Sequence, residues 1–239
     1  MTTTSTRPDL LAATEFLDHD SPEVREFVAR VVPDPAAMTP TEKAVALYYA
    51  VRDKVFYEVY GQDLSRTGLR AGSIAKQGQG FCLHKAILYA AAVRSVGIPS
   101  RLLCGEVRNH LASGRLKQVV GGDVFLHWLN AIELDGRWLR VTPVFNKVLC
   151  KLYGMRPLEF DGTADSLYHP FDEDGRERME FVGPKTEFDD VDYDDVLRRM
   201  REKHPAMVGD DAHVAAEGSL AAEAPQVIGG ACTPGGACS

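Results

Sequence analysis

The residues best suited to chemistry in this sequence are a cysteine at the start of an apolar run and a histidine further along the chain. After Cys82, apolar residues recur at helical spacing, and Gly97 with Pro99 ends the pattern. A thiol in the first turn of a helix lies among unpaired N–H groups at the positive end of the helix dipole, which favours the thiolate. The sequence therefore predicts an activated Cys82; the alternative is a thiol that only fills the core.

The histidine, His127, belongs to the clearest hairpin of the sequence. Two strand-like runs flank Asp135-Gly136, a dipeptide typical of a two-residue turn. In this register His127 faces Val144, and side-chain alternation places His127, Thr142 and Asn146 on one face. A cysteine at a helix start, a histidine on a strand and a polar partner match the nucleophile, base and orienting group of thiol acyl transfer.

The predicted helices and strands form the scaffold that positions these residues. Helical patterns and strand-like runs alternate along the chain, and loops are predicted over 61–80 and 108–123. The predicted helices cover 21–31, 39–54, 82–96 and 193–203, and the predicted strands cover 55–60, 100–107, 124–134 and 137–145.

Three segments divide the chain by composition. Residues 1–38 are predicted as an N-terminal helical segment and 39–205 as the catalytic domain with a C-terminal extension. Residues 206–239 contain no aromatic side chain, no Lys and no Arg. Because such a segment buries little apolar surface, the sequence predicts a disordered tail, whose removal after Pro205 leaves the melting temperature nearly unchanged.

Three separated motifs resemble the transglutaminase-like core of the papain-like superfamily. The stretches Val141-Thr-Pro-Val-Phe-Asn146 and Glu159-Phe-Asp-Gly162 together are similar to a bacterial subgroup of that family. The three motifs are Gly80-Phe-Cys-Leu-His-Lys-Ala86, Arg94-Ser-Val-Gly-Ile-Pro-Ser-Arg101 and the segment from His127 to Pro143. The resemblance covers roughly residues 40 to 146. It implies an α+β fold in which the nucleophile helix packs on an antiparallel β-sheet. It also implies that Cys82 is the nucleophile and His127 the general base.

The third catalytic position departs from the family pattern. Where the family commonly has Asp before Pro, this chain has Thr142 before Pro143. A hydroxyl can fix the imidazole tautomer, but it supplies no negative charge to stabilise an imidazolium. Thr142 is the first candidate for the orienting group, Asn146 is the second, and Asp161 or Asp123 could fold in from a loop.

Two further expectations concern the surroundings of the thiol. The backbone N–H of Cys82 is the natural donor to an oxyanion, and Gln77 or Gln79 could add a side-chain amide from the preceding loop. His84, two residues after the cysteine, is predicted on the surface of the helix. Each glutamine has the simpler alternative of a solvated loop position.

Composition limits the partners of the protein. The net charge is -7 with an isoelectric point near 5.5, which argues against a nucleic-acid or anionic-membrane surface. No apolar stretch in the sequence is long enough for a membrane span, so we expect a cytoplasmic protein. The five cysteines form no CxxC pair and the acidic runs lack calcium-ligand spacing; no metal or other cofactor is expected. The oligomeric state stays open.

These observations favour a cysteine-dependent acyl-transfer enzyme acting on an amide or thioester carbonyl. The substrate would be a peptide, an amide or an acyl thioester, and the outcome transamidation, amide formation or hydrolysis. Two other hypotheses remain. One is a catalytically silent binding module, and the other is a redox sensor that pairs Cys82 with Cys104.

Overall fold

The computed structural model of the chain describes residues 9–110, 112–167, 179–209, 212, 214 and 216–229. The helices are α1 (Pro22–Val31), α2 (Pro40–Lys54), α3 (Ala71–Gln77), α4 (Cys82–Ser95), α5 (Gly114–Val120), α6 (Lys147–Leu152), α7 (Tyr193–Lys203) and α8 (Leu220–Gly229), with short 3-10 turns at Pro35–Ala37 and Pro205–Met207. The strands are β1 (Phe56–Tyr57), β2 (Gln79–Gly80), β3 (Ser100–Asn109), β4 (Val124–Leu134), β5 (Arg137–Val141), β6 (Met179–Phe181) and β7 (Thr186–Phe188).

The central element is α4, which begins at Cys82. It packs against α1, α2 and α3 on one side and against β3 and β4 on the other. Nearly every residue of α4 is therefore buried, as expected for a helix surrounded by the core. The surface position predicted for His84 is wrong, because its ring is fully buried and its Nε2 hydrogen-bonds the backbone oxygen of Asp63 at 2.9 Å.

The neighbouring Lys85 is also fully buried, and backbone oxygens satisfy its polar end. Its Nζ donates to the backbone oxygens of Arg52 at 2.9 Å and Val55 at 2.5 Å, near the end of α2. Carbonyl groups at a helix C-terminus lack intrahelical donors, so the Lys85 side chain satisfies them, while burial lowers its pKa well below the usual range. The contact fixes α2 against the start of α4.

An antiparallel sheet supports α4, with the strand order β5-β4-β3-β6 and β7 also paired with β3. The predicted hairpin is confirmed: Leu134 faces Arg137, and both turn residues, Asp135 (φ 50°) and Gly136 (φ 73°), have the positive φ of a type I′ turn. The α+β fold class, with the nucleophile helix packed on an antiparallel sheet, is therefore confirmed.

The hairpin ends earlier than the sequence pattern predicts. Pairing between β4 and β5 runs only as far as Asn130 and Val141, so the predicted pairs of His127 with Val144 and of Leu129 with Thr142 are absent from the ladder between these described strands. Pro143, two residues after Val141, has no N–H to donate to a neighbouring strand. The first part of β4 therefore has an edge that β5 does not cover.

The C-terminal segment differs from the disordered tail predicted for 206–239. The Val214 N–H donates to the Gln62 backbone oxygen at 2.9 Å, and the Gly61 N–H donates to the Val214 oxygen at 3.2 Å. On α8, the buried carboxylate of Glu223 accepts a hydrogen bond of 2.5 Å from the Tyr60 hydroxyl. The described part is ordered because it uses partners elsewhere in the fold; residues 230–239 lie outside the described residues. No described helix combines the length and apolarity of a membrane span.

Candidate active site

The thiol lies at the edge of β4 that β5 does not cover. Because Leu134 and Arg137 flank a two-residue turn, the even-numbered residues of β4 direct their N–H and C=O groups toward β5. At Leu126 and Trp128, beyond the end of β5, the Cys82 side chain takes this place. Its thiol donates to the Leu126 carbonyl oxygen (3.7 Å), and the nearby Trp128 N–H acts to lower the pKa of the thiol.

The start of α4 provides further donors beside the sulfur. Phe81 is the N-cap residue and contributes no side-chain hydrogen bond, so the first N–H groups of the helix stay available. The backbone N–H groups of Cys82 and Leu83 lie near the sulfur and both act to lower the pKa of the thiol. Such N–H groups can stabilise an oxyanion that forms on a carbonyl attacked by the thiolate.

Burial decides the charge of the thiol. The sequence predicted a lowered pKa, but Cys82 is only 3% exposed, and burial raises its pKa to about 11 against the lowering effect of the three N–H groups. The expectation of a lowered pKa is therefore wrong for this state of the protein. The desolvation of a charge in an apolar enclosure exceeds the stabilisation from backbone dipoles.

A pH profile of alkylation tests this result. Only the thiolate reacts with iodoacetamide, so a pKa of about 11 predicts a rate at Cys82 that rises about tenfold per pH unit from pH 7 to 9.5. Free cysteine, with a pKa of about 8.5, levels off within this range. Peptide-resolved mass spectrometry would follow Cys82 separately from the other thiols, with circular dichroism to confirm that the fold persists. A plateau at or below pH 8.5 would contradict the burial.

The predicted base lies on the same stretch of strand, and its ring points away from α4. His127 pairs with Gly105 on β3, and its ring packs against Phe181 of β6 with centroids 5.8 Å apart. The Lys185 ammonium lies 3.9 Å from the Phe181 ring centroid. Burial, and then the nearby charge of Lys185, lowers the pKa of His127 to about 4. The imidazole is therefore neutral at physiological pH.

The structure thus places the predicted nucleophile beside the strand backbone of the predicted base, without bringing the two side chains into contact. The sulfur contacts Leu126 and Trp128, the residues on either side of His127. The thiol proton is directed at the Leu126 carbonyl oxygen, while the imidazole packs on the other face of the sheet. Thiol and imidazole are both neutral in this arrangement.

The two first candidates for the orienting group are both buried. Thr142 is fully buried directly after β5, and its backbone oxygen accepts a hydrogen bond from the Tyr48 hydroxyl at 3.2 Å. Asn146 is the N-cap residue of α6 and is 3% exposed. Within the described part of the chain, Thr142 Oγ1 and Asn146 Oδ1 have no hydrogen-bond partner. Both oxygens therefore have unused capacity to accept an N–H.

The two aspartates considered from the sequence are engaged elsewhere on the surface. The Asp161 carboxylate accepts bonds of 2.8 and 2.7 Å from the backbone N–H and hydroxyl of Thr163. Asp123 forms an ion pair of 3.6 Å with Arg108. Since both are exposed, neither is placed to orient a buried imidazole.

The glutamines proposed for the oxyanion occupy different environments. Gln77 is exposed at the end of α3, and Gln79 is half-buried on β2, where it pairs with Phe56 of the two-residue parallel ladder. Gln79 therefore stays the better candidate of the two, and its role stays a prediction.

A second histidine beside the thiol was missed in the sequence. His204, directly after α7, accepts the Leu126 N–H at its Nε2 (2.9 Å), and its Nδ1 lies 2.7 Å from the Val120 backbone oxygen. The ring is therefore assigned as the neutral tautomer with the proton on Nδ1. Leu126 thus links the two side chains: its C=O accepts from the Cys82 thiol, and its N–H donates to His204. No local pattern signals this, because both partners of His204 are backbone atoms far away in the sequence.

Other chemistries have less support in the described residues. They contain no group of three or more His, Cys, Asp or Glu side chains arranged to hold a metal ion. Cys82, Cys104 and Cys150 are free, and Cys104 lies on β3 opposite Trp128. The redox-sensor pairing of Cys82 with Cys104 stays a prediction.

Comparison with known families agrees with this arrangement. Residues 27–143 match the family model of the transglutaminase-like superfamily core, a match that includes Cys82, His127 and Thr142. The chain belongs to the transglutaminase-like superfamily. The match supports a cysteine-enzyme-like function for this transglutaminase-like protein, because the matched core contains the thiol at the helix start and the histidine on the strand.

One solved structure with some similarity is described as a "Putative Cysteine Protease" from Cytophaga hutchinsonii. It is 14% identical in sequence, with a TM-score of 0.39, and the alignment covers 77% of this chain and 54% of that one. The transglutaminase-like chain therefore spans about half the length of that protein. No curated protein matches the sequence significantly.

Proposed function

We propose that this transglutaminase-like protein is a cysteine-dependent enzyme that acts on an amide or thioester carbonyl through an acyl-enzyme intermediate. The observation that carries the proposal is the position of the Cys82 sulfur at the N-terminus of α4, between the Leu126 carbonyl and the Trp128 N–H of the strand that contains His127. The acyl group then passes to an amine or to water, giving transamidation, amide formation or hydrolysis.

In this mechanism His127 is the general base. Because thiol and imidazole are both neutral at rest, the proton moves as the sulfur attacks the carbonyl carbon. For this step the imidazole turns from Phe181 toward the strand edge where Cys82 lies. The N–H groups of Cys82 and Leu83 bind the developing oxyanion. The imidazolium then returns the proton to the leaving amine or thiol.

Thr142 is proposed as the group that orients His127, with Asn146 as the alternative. Replacing Thr142 by Val removes a hydroxyl that has no described hydrogen-bond partner, so the free energy of unfolding should be unchanged or higher. If the hydroxyl orients the imidazolium, the acylation rate should fall about 10- to 100-fold, as expected for one hydrogen bond to a charged group. Thermal unfolding and stopped-flow acylation measure the two effects.

The same measurements on Asn146→Ala decide between the two candidates. A loss of rate confined to Asn146→Ala would transfer the role to Asn146. Thr142→Asp supplies the carboxylate of the family pattern, and its acylation rate should equal or exceed that of the wild type if the position is correct.

The substrate is proposed to be a peptide, an amide or an acyl thioester. Since the thiol is 3% exposed, the elements around it must move before a donor can enter. The described cysteines are free thiols, which is consistent with a reducing compartment, and we propose the cytoplasm.

The direct test is acylation of Cys82 itself. The protein is incubated with activated acyl esters and acyl thioesters, and intact-mass spectrometry followed by peptide mapping locates the adduct. We expect one acyl group per chain on Cys82, released by hydroxylamine or by an added amine. Protein that takes up iodoacetamide at Cys82 but no acyl group from any donor would refute the proposal.

A second candidate function is a binding module that has lost catalysis. Two observations favour it: burial raises the pKa of Cys82, and among the described residues a lysine, Lys185, lies close to His127 and disfavours an imidazolium. Acylation separates the candidates, because a silent module gives no adduct. Its ligand would instead raise the melting temperature equally in wild type and Cys82→Ala.

A further inference from the structure

A small apolar cavity opens directly on the thiol. Its volume is about 30 Å³, and its wall beside Cys82 includes Val120, Phe125, Met200 and Met207. This space holds about two water molecules or a short aliphatic group. Because it adjoins the sulfur, it is the place for the part of an acyl donor that is attached to the carbonyl carbon.

The polar groups of this wall leave little for a polar acyl chain to bind. Both ring nitrogens of His204 are already engaged by backbone groups. Tyr57 lines the same cavity as Cys82, and burial, followed by the charge of a Cys82 thiolate, raises the Tyr57 pKa. A polar acyl group that extends past Tyr57 would therefore lose hydrogen bonds to water without replacement.

One side chain stands between this cavity and a second one. Leu116 on α5 lines both, and the second cavity, also of about 30 Å³, is lined by apolar groups that include Phe145, Leu149 and Leu220. The position of Leu116 is fixed because its N–H donates to the Ser113 hydroxyl at the start of α5 (2.9 Å). Leu116 is thus the residue common to the walls of both cavities.

We infer that the acyl group accepted by Cys82 is short and apolar, and that Leu116 limits its length, an inference that rests on the proposed function. In the reaction the sulfur–carbonyl carbon bond forms and the bond from that carbon to the leaving group breaks. The thiol proton passes to His127 and then to the leaving group. A longer aliphatic chain is excluded until the two cavities are joined.

The test uses p-nitrophenyl esters of acetate, butyrate, octanoate and methoxyacetate, which is a polar isostere of butyrate. Each rate of Cys82 acylation is divided by the rate with free cysteine, which removes differences in ester reactivity. For the wild type we expect butyryl to exceed octanoyl by about tenfold or more. It should exceed methoxyacetyl by about fivefold, the effect of one buried oxygen without a donor.

Variants of Leu116 then test its role. Leu116→Ala joins the two cavities, so the octanoyl rate should rise about tenfold while the acetyl rate stays within about twofold. Leu116→Phe fills the space and should keep the acetyl rate while lowering the butyryl rate. Val119→Ala, a partly buried residue on the same helix that borders neither cavity, is the matched control. Melting temperatures confirm that each variant folds.

The outcomes separate the inference from the proposed function. Acylation of Cys82 that is as fast with octanoyl or methoxyacetyl as with butyryl overturns the inference and leaves the enzyme intact. The same holds if neither Leu116 variant changes the chain-length preference. If no ester acylates Cys82 while iodoacetamide still alkylates it, the proposed function fails, and this inference fails with it.

Discussion

Replacing Cys82 by Ala should lower the rate of acyl transfer by at least about a thousandfold, because no other described group can form the acyl-enzyme at this strand edge. The free energy of unfolding should change by about 1 kcal/mol or less, since the substitution removes one sulfur and one long hydrogen bond of 3.7 Å. Turnover of a p-nitrophenyl ester and thermal unfolding are the two measurements.

Cys150→Ala is the matched control for this variant. Cys150 is also buried, its thiol donates to a backbone oxygen, that of Phe145, at 3.6 Å, and burial raises its pKa to about 11 as well. It differs in position, because it lies within α6 rather than at the start of a long helix. Full activity in Cys82→Ala, or an equal loss in Cys150→Ala, would show that helix position does not select the nucleophile.

The parts of this site that could be predicted from the sequence depend on local rules. A helix of apolar residues that stops at Gly97 fixed the position of Cys82, and Asp135-Gly136 fixed the register of the hairpin from Leu134 to Asn130. Turn geometry and side-chain alternation act over a few residues, so they can be read without knowing the rest of the fold.

The end of the hairpin could not be predicted in the same way. Alternation continues past Val141, but the strand does not, because Pro143 has no N–H to donate to the ladder. Val141 pairs with Asn130 and also bridges Ser166. This early end is what gives the thiol its place beside Leu126. The site therefore depends on a departure from the pattern that located His127.

The charge state of the thiol depends on a competition that sequence cannot resolve. The helix start supplies N–H groups that favour a thiolate, and this part was predicted from the position of Cys82. The opposing effect is burial by α5, α7 and the turn at Pro205–Met207, whose residues are distant from Cys82 in the sequence but line the same cavity. Because desolvation scales with burial, the sign of the pKa shift required the structure.

Truncation after Pro205 should now lower the melting temperature, which reverses the expectation from the sequence. The deletion removes four apolar side chains that are at least 96% buried, Met207, Val214, Leu220 and Ala224. It also removes the Glu223 carboxylate that accepts from Tyr60. After the ordering entropy of the segment, a net loss of about 3 kcal/mol corresponds to roughly 6 to 12 °C for a chain of this size. Differential scanning calorimetry measures the shift.

The truncation has a second consequence at the thiol, which distinguishes it from general destabilisation. Met207 borders the cavity at Cys82, so its loss should expose the sulfur and speed alkylation well below the unfolding transition. Truncation after Gly229 keeps α8 and is the control for the last ten residues. A fragment ending at Pro205 that melts like the full chain and alkylates no faster would mean that the described C-terminal segment does not pack on the core in solution.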